Sequence, residues 1–145
     1  SRAFGIVLGG HAVTVVDDTY NANPDSVRAA IDVLAELPGP RLLVLGDMGE
    51  VGDQGPQFHA EMGEHARARR IEKMFTLGGQ SKALRGTHFE SMDALNGAVV
   101  AQLPAIASIL VKGSRFMKME RVIEAIAAQG VQPPQQKQEE TRHAA

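Results

Sequence analysis

Short apolar runs alternating with amphipathic helical stretches predict a three-layer α/β domain with a mostly parallel sheet. Two observations carry the prediction. Leu42-Leu43-Val44-Leu45 is an unbroken apolar run, as expected of a strand covered by helices on both faces. Val27, Ile31, Leu34 and Leu37 recur at helical spacing soon after the β-branched run Ala12-Val13-Thr14-Val15-Val16, so the hydrophobic period switches from strand to helix.

The elements follow in order. Residues 1–11 are expected to supply an edge hairpin turning at Gly9-Gly10, and Ala12–Val16 a strand. A helix then begins at Pro24 with Asn23 as its cap, because proline suits a first helical position and asparagine can accept from the free amides. Pro38-Gly39-Pro40 ends it. After the strand at Leu42–Leu45 comes a helix from about Gln54 to Ala68, then a strand at Lys73–Leu77 and a short one at His88-Phe89. Asp93–Gln102 is expected to be helical, Ile109–Val111 a strand, and Met117–Ala128 a final packing helix. Residues 1–130 are therefore expected to form one domain. The stretch 131–145, with Gln132-Pro133-Pro134-Gln135-Gln136-Lys137-Gln138-Glu139-Glu140, is expected to be a disordered tail, having too little apolar surface to offset ordering.

Composition narrows the function. With 145 residues the chain can bury a core without staples, and a formal net charge of −2, with both signs interspersed, gives no field for nucleic acid or a membrane surface. Cysteine is absent, which excludes disulfides and thiolate metal sites. No apolar run approaches the length of about 18 residues needed to span a bilayer, and Ser1-Arg2-Ala3-Phe4-Gly5 does not resemble a signal sequence, so a cytoplasmic location is expected.

Three polar segments fall at strand ends that share one edge of a parallel sheet, where such folds bind ligands. The first is Asp17-Asp18-Thr19-Tyr20-Asn21-Ala22-Asn23-Pro24-Asp25-Ser26. Its bland reading is a strand stop and a helix cap; its functional reading is a carboxylate that accepts from a ribose diol beside a ring able to stack on a base. In the second, Gly46-Asp47-Met48-Gly49-Glu50-Val51-Gly52, a flexible loop competes with carboxylates that recognise an amine or a cation. Without a spaced third ligand, metal is the weaker reading of that pair. The third, Lys112-Gly113-Ser114-Arg115, is either a capped helix with basic decoration or a helix start whose amides and cations attract phosphate or carboxylate. His59 and His65 lie six apart on one predicted helix and face different sides, so they make no joint metal site; His11, His88 and His143 are isolated. Neither a Gly-x-x-x-x-Gly-Lys-Ser/Thr phosphate loop nor a Gly-x-Gly-x-x-Gly fingerprint is present. A chain that touches nucleotide without its own phosphate cradle is expected to be part of something larger.

In order and spacing, these three segments together with Met119-Glu120 resemble the C-terminal domain of the Mur ligases over about residues 10–128. The Tyr20-Asn21-Ala22-Asn23-Pro24 form of the first segment is similar to the branch of that family that adds D-alanyl-D-alanine to UDP-N-acetylmuramoyl-tripeptide in peptidoglycan synthesis. The resemblance implies a Rossmann-like domain that closes over a central domain carrying the phosphate loop and the Mg2+ ligands, with a further N-terminal domain for the UDP-sugar. It implies that ATP activates the tripeptide carboxylate as an acyl phosphate, which the incoming amine attacks. Carried over by position, Asp18, Tyr20, Asn21 and Asn23 line the ATP side; Lys112, Ser114 and Arg115 meet phosphate or the dipeptide carboxylate; Asp47 and Glu50 orient its ammonium group. The domain alone is expected to be inactive. A phosphoacceptor receiver is the competing reading, since Asp17, Asp18, Asp47 and Lys112 imitate its acidic pair, acceptor and late lysine. A stand-alone nucleotide-binding module is the third.

Overall fold

The computed structural model describes residues 1–49 and 51–133. A hairpin opens the fold: β1 (Arg2–Leu8) and β2 (His11–Asp18) pair antiparallel across Gly9-Gly10, both at positive φ as a two-residue turn of this hand requires. Then come α1 (Pro24–Ala35), β3 (Arg41–Gly46), α2 (Gly55–Ala68), β4 (Lys73–Leu77), β5 (Thr87–Phe89), α3 (Met92–Gln102), β6 (Ser108–Lys112) and α4 (Glu120–Ala127). The strands form one sheet in the order β1-β2-β6-β3-β4-β5, parallel everywhere except at the β1 hairpin.

The strand period of two sorts side chains between the faces. Leu42 and Val44 of β3 join α3 and α4 residues Leu95, Val99, Val122 and Ile126 in one buried layer. Leu43 and Leu45 point the other way, against Val27, Ile31 and Leu34 of α1 and Met62 and Ala66 of α2. Hence α1 and α2 cover one face and α3 and α4 the other, the three layers expected. α1 starts where its sequence says: Ser26 N donates to Asn23 Oδ1 at 2.9 Å, Asn23 N to Ser26 Oγ at 3.0 Å, and Pro24 takes the first turn.

The end of the chain departs from expectation. Instead of one helix over Met117–Ala128, Arg115–Met117 make a 3-10 turn, Lys118 adopts the left-handed conformation at φ 54°, and α4 begins only at Glu120. Beyond α4, Val131 pairs with Val7 on the outer side of β1 through bonds of 2.8 and 3.0 Å, one residue past the domain boundary expected from sequence. Residues 134–145 of the expected tail lie outside the described residues.

Two helix glycines give opposite predictions. A Cβ on Gly63 of α2 would collide with the Leu84 carbonyl, so Gly63→Ala is expected to cost about 1–3 kcal/mol despite alanine's better helix propensity. Gly97 of α3 faces open space, and Gly97→Ala is expected to stabilise by roughly 0.5–1 kcal/mol. Urea unfolding of the two variants checks both signs.

Candidate functional site

The sheet register builds the centre of the site. β6 lies between β2 and β3, with Lys112 opposite Asp18 on one side and Leu45 on the other. Lys112 is 3% exposed, and a buried ammonium must be paired. Its Nζ donates to Asp18 Oδ2 at 2.9 Å and to the Asn21 carbonyl at 2.8 Å. The first polar segment is thereby folded over the end of β6. Asp17 serves its own turn, accepting from Thr19 Oγ1 at 2.7 Å and Thr19 N at 3.3 Å.

The second segment joins three loops. Asp47 is buried; its Oδ1 accepts from Ser81 N at 2.8 Å and Ser81 Oγ at 2.6 Å, and its Oδ2 from Gln80 N at 3.2 Å. The Asp47 carbonyl accepts from Ser114 N at 3.0 Å, and Gly49 N donates to the Ala22 carbonyl at 3.3 Å. Behind the loop, Met48 N donates to His59 Nε2 at 2.9 Å. Close approach completes the seam: a Cβ on Gly113 would stand 2.6 Å from Met119 Cγ and 3.3 Å from Gly46 Cα.

Two open clefts result. Strands β2 and β6 are neighbours, yet α1 and α4 pack on opposite faces, so the loops leaving these strands splay apart and leave a crevice. The first cleft, about 620 Å³, is walled by Ser1 and Arg2, by Asp17–Tyr20, and by Arg115, Lys118 and Glu120. It mixes both signs of charge. The second, about 540 Å³, is walled by Tyr20–Pro24, Gly49, Val51 and Ser114–Phe116, and is lined mainly by small and apolar groups. Tyr20 and Arg115 belong to both, with the guanidinium carbon 4.9 Å from the ring centroid. Tyr20 is 72% exposed and Phe116 67%, so both rings stand open at the rim of the clefts. The Ser114 hydroxyl is buried with no hydrogen-bond partner among the described residues.

Several sequence-based expectations change. Lys112, expected to meet phosphate or carboxylate, bonds within the domain to Asp18 and the Asn21 carbonyl. Asp47, expected to orient an ammonium group, is buried with both its oxygens bonded to the Gln80-Ser81 turn, an arrangement unlike the open acceptor that the phosphoacceptor reading expects. Gly113-Ser114 opens a 3-10 turn instead of an α-helix, and Ser114 N is already bonded. Asp18 and Tyr20 share the first cleft, whereas Asn21 and Asn23 line the second with Ser114 and Arg115, and the Asn23 side chain caps α1. Glu50 lies outside the described residues. Among the described residues no group of three or more His, Asp or Glu could hold a metal ion, and no helix is long and apolar enough to cross a membrane. Sequence reasoning missed His59 and Ser81; the only hint of Ser81 was that Asp47, directly after an apolar strand, needed a buried partner.

A doubly wound sheet with two clefts at its switch point defines a Rossmann-like ligand-binding domain. The chain belongs to the family described as Mur ligase, glutamate ligase domain, whose pattern matches residues 4–145. It is 41% identical over 137 residues to the UDP-N-acetylmuramoyl-tripeptide–D-alanyl-D-alanine ligase of Escherichia coli strain K12, an alignment covering 89% of this chain and 30% of the relative. The enzyme of the same name from Bacillus subtilis strain 168 is 34% identical over 125 residues, covering 77% of this chain and 27% of the relative. The chain thus spans about 30% of the length of the E. coli relative. Among solved structures, a MurF ligase from Thermotoga maritima in complex with ADP superposes with a TM-score of 0.72 at 25% identity, covering 83% of this chain and 29% of that one. MurF from Acinetobacter baumannii superposes equally well, at 31% identity, over 83% of this chain and 28% of that one.

The ion pair makes an asymmetric prediction. Asp18→Ala strands a buried ammonium and is expected to cost about 3 kcal/mol or more, as broken buried pairs do. Lys112→Met strands a carboxylate that still reaches water, so its expected cost is only about 1–2 kcal/mol. Denaturant unfolding of both variants tests the order.

Proposed function

We propose that this chain is the C-terminal domain of an ATP-dependent ligase that joins D-alanyl-D-alanine to UDP-N-acetylmuramoyl-tripeptide in the cytoplasm, and that it is inactive without the N-terminal and central domains of that enzyme. The carrying observation is the 41% identity to the E. coli ligase across 89% of the chain. Two unlike clefts with a common wall at the carboxyl edge support it.

The clefts suit different parts of the reaction. In the first, Asp18, held by Lys112, accepts from ribose hydroxyls, the exposed Tyr20 ring offers a stacking face, and Arg115 and Lys118 lie on the side of the phosphates. In the second, Ala22, Pro24, Val51 and Phe116 bracket the methyl groups of the dipeptide, while the Ser114 hydroxyl, without a partner among the described residues, and the Arg115 guanidinium receive its carboxylate. Asn21 borders the same space. Arg115 stands between them, where it links the nucleotide to the amine that must reach the acyl phosphate. Asp47 contributes by holding the loops in register.

The chemistry asks little else of this domain. The tripeptide carboxylate takes the γ-phosphoryl group of ATP, the dipeptide amine attacks the acyl carbon, and the tetrahedral intermediate expels phosphate. Closing the two clefts over the central domain holds amine and acyl phosphate together, which replaces a bimolecular encounter with a positioned one. The Mg2+ that accompanies ATP has no fitting ligand set among the described residues and would be held by the central domain.

A chimera tests the proposal: this chain replaces the matching C-terminal segment of the E. coli ligase. Phosphate release dependent on ATP, UDP-N-acetylmuramoyl-tripeptide and D-alanyl-D-alanine is expected from the chimera and not from the chain alone. Ser114→Ala is expected to raise the KM for the dipeptide about ten-fold, the worth of one hydrogen bond to a charged group, with little change in the KM for ATP. A folded chimera with no dipeptide-dependent release would overturn the reading; tight ATP binding by the chain alone would favour a stand-alone nucleotide module.

A further inference from the structure

We propose that His59 is a positioning residue for the second cleft, acting through the backbone of Asp47-Met48-Gly49. His59 lies on α2 in the layer of Met62 and Ala66, fully buried, and does not line either cleft. Both ring nitrogens are engaged: Nε2 is 2.9 Å from Met48 N, and Nδ1 is 2.6 Å from the Gly55 carbonyl. A backbone N–H can only donate and a carbonyl can only accept. The ring is therefore neutral, with its proton on Nδ1 and its lone pair on Nε2 aimed at Met48.

The Met48 N–H belongs to the same planar peptide unit as the Asp47 carbonyl, and that carbonyl accepts from Ser114 N at 3.0 Å. Fixing one end of a rigid plane fixes the other. The next peptide unit carries the Gly49 N–H, which donates to the Ala22 carbonyl at 3.3 Å. Ser114, Gly49 and Ala22 all wall the second cleft, so one imidazole behind it sets the relative placement of the three loops. An apolar side chain would fill the same volume in this layer, but would leave the buried Met48 amide unpaired and that peptide plane free to rotate.

The functional side of this inference rests on the dipeptide occupying the second cleft; its structural side does not. His59→Leu keeps volume and removes the acceptor, His59→Gln restores an acceptor oxygen, and Val99→Ala, in the opposite core layer, is a control for general loss of stability. In the chain alone, amide exchange at Gly49 and Ser114 is expected to quicken at least ten-fold in His59→Leu beyond any change elsewhere, and to return towards wild type in His59→Gln. Imidazole ¹⁵N shifts are expected to report the Nδ1–H tautomer. In the chimera, His59→Leu is expected to raise the KM for D-alanyl-D-alanine about ten-fold, with kcat and the KM for ATP within two-fold.

Exchange that quickens evenly through the domain, as in Val99→Ala, would overturn the proposal. So would a glutamine variant no better than leucine, or equal rises in both KM values. If His59→Leu does not fold, His59→Asn, too short to reach Met48, takes its place in the same comparison. A wild-type chimera that does not turn over would count against the ligase reading alone, because the exchange pattern still decides the role of His59.

Discussion

One buried ammonium group governs the layout of the carboxyl edge. β6 runs through the middle of the sheet with every residue buried, and it ends in Lys112 instead of another aliphatic residue. A charge in that position persists only if neighbouring groups come to it, and the parallel register presents Asp18 directly opposite. By drawing in the Asn21 carbonyl as well, Lys112 bends the β2–α1 connection over the strand ends. Both clefts have that bent segment as a wall, so the shape of the site follows from a need to neutralise one core residue.

Backbone groups also tie the neighbouring loops together. Ser114 N to the Asp47 carbonyl and Gly49 N to the Ala22 carbonyl join connections from three different strands. The side chains of Tyr20, Arg115 and Phe116 stand exposed at the rim beside these bonds. Asp47 and Lys112, two of the polar groups that sequence inspection would put at a ligand, also hold this architecture together.

What the sequence revealed and what it hid differ in physical kind. The α1 start at Asn23-Pro24, the two-sided burial of Leu42–Leu45 and the turn at Gly9-Gly10 depend on neighbours within a few residues, and each was readable. The three loops were also readable as convergent, because parallel strands put their carboxyl ends on one edge. The internal bonds of Asp47 and Lys112 depend on partners 34 and 94 positions away, so residue type gave no sign of them. The start of the last helix misled for a related reason: the apolar spacing of Met117–Ala128 suits a helix throughout, but Met119 packs across Gly46 and Gly113, and the chain makes a left-handed turn at Lys118 to place it there. His59 gave no signal at all, since one histidine in an amphipathic helix looks the same whether it decorates the surface or braces a loop.

The wall shared by the two clefts has an optical consequence. The chain holds one tyrosine and no tryptophan, and that tyrosine is Tyr20, lying beneath the Arg115 guanidinium. All of its intrinsic ultraviolet emission above the phenylalanine background therefore arises from a single ring placed where both clefts meet. The domain carries its own built-in fluorophore at its most informative position, and quenching or brightening of that one ring would report occupancy of either side without any label.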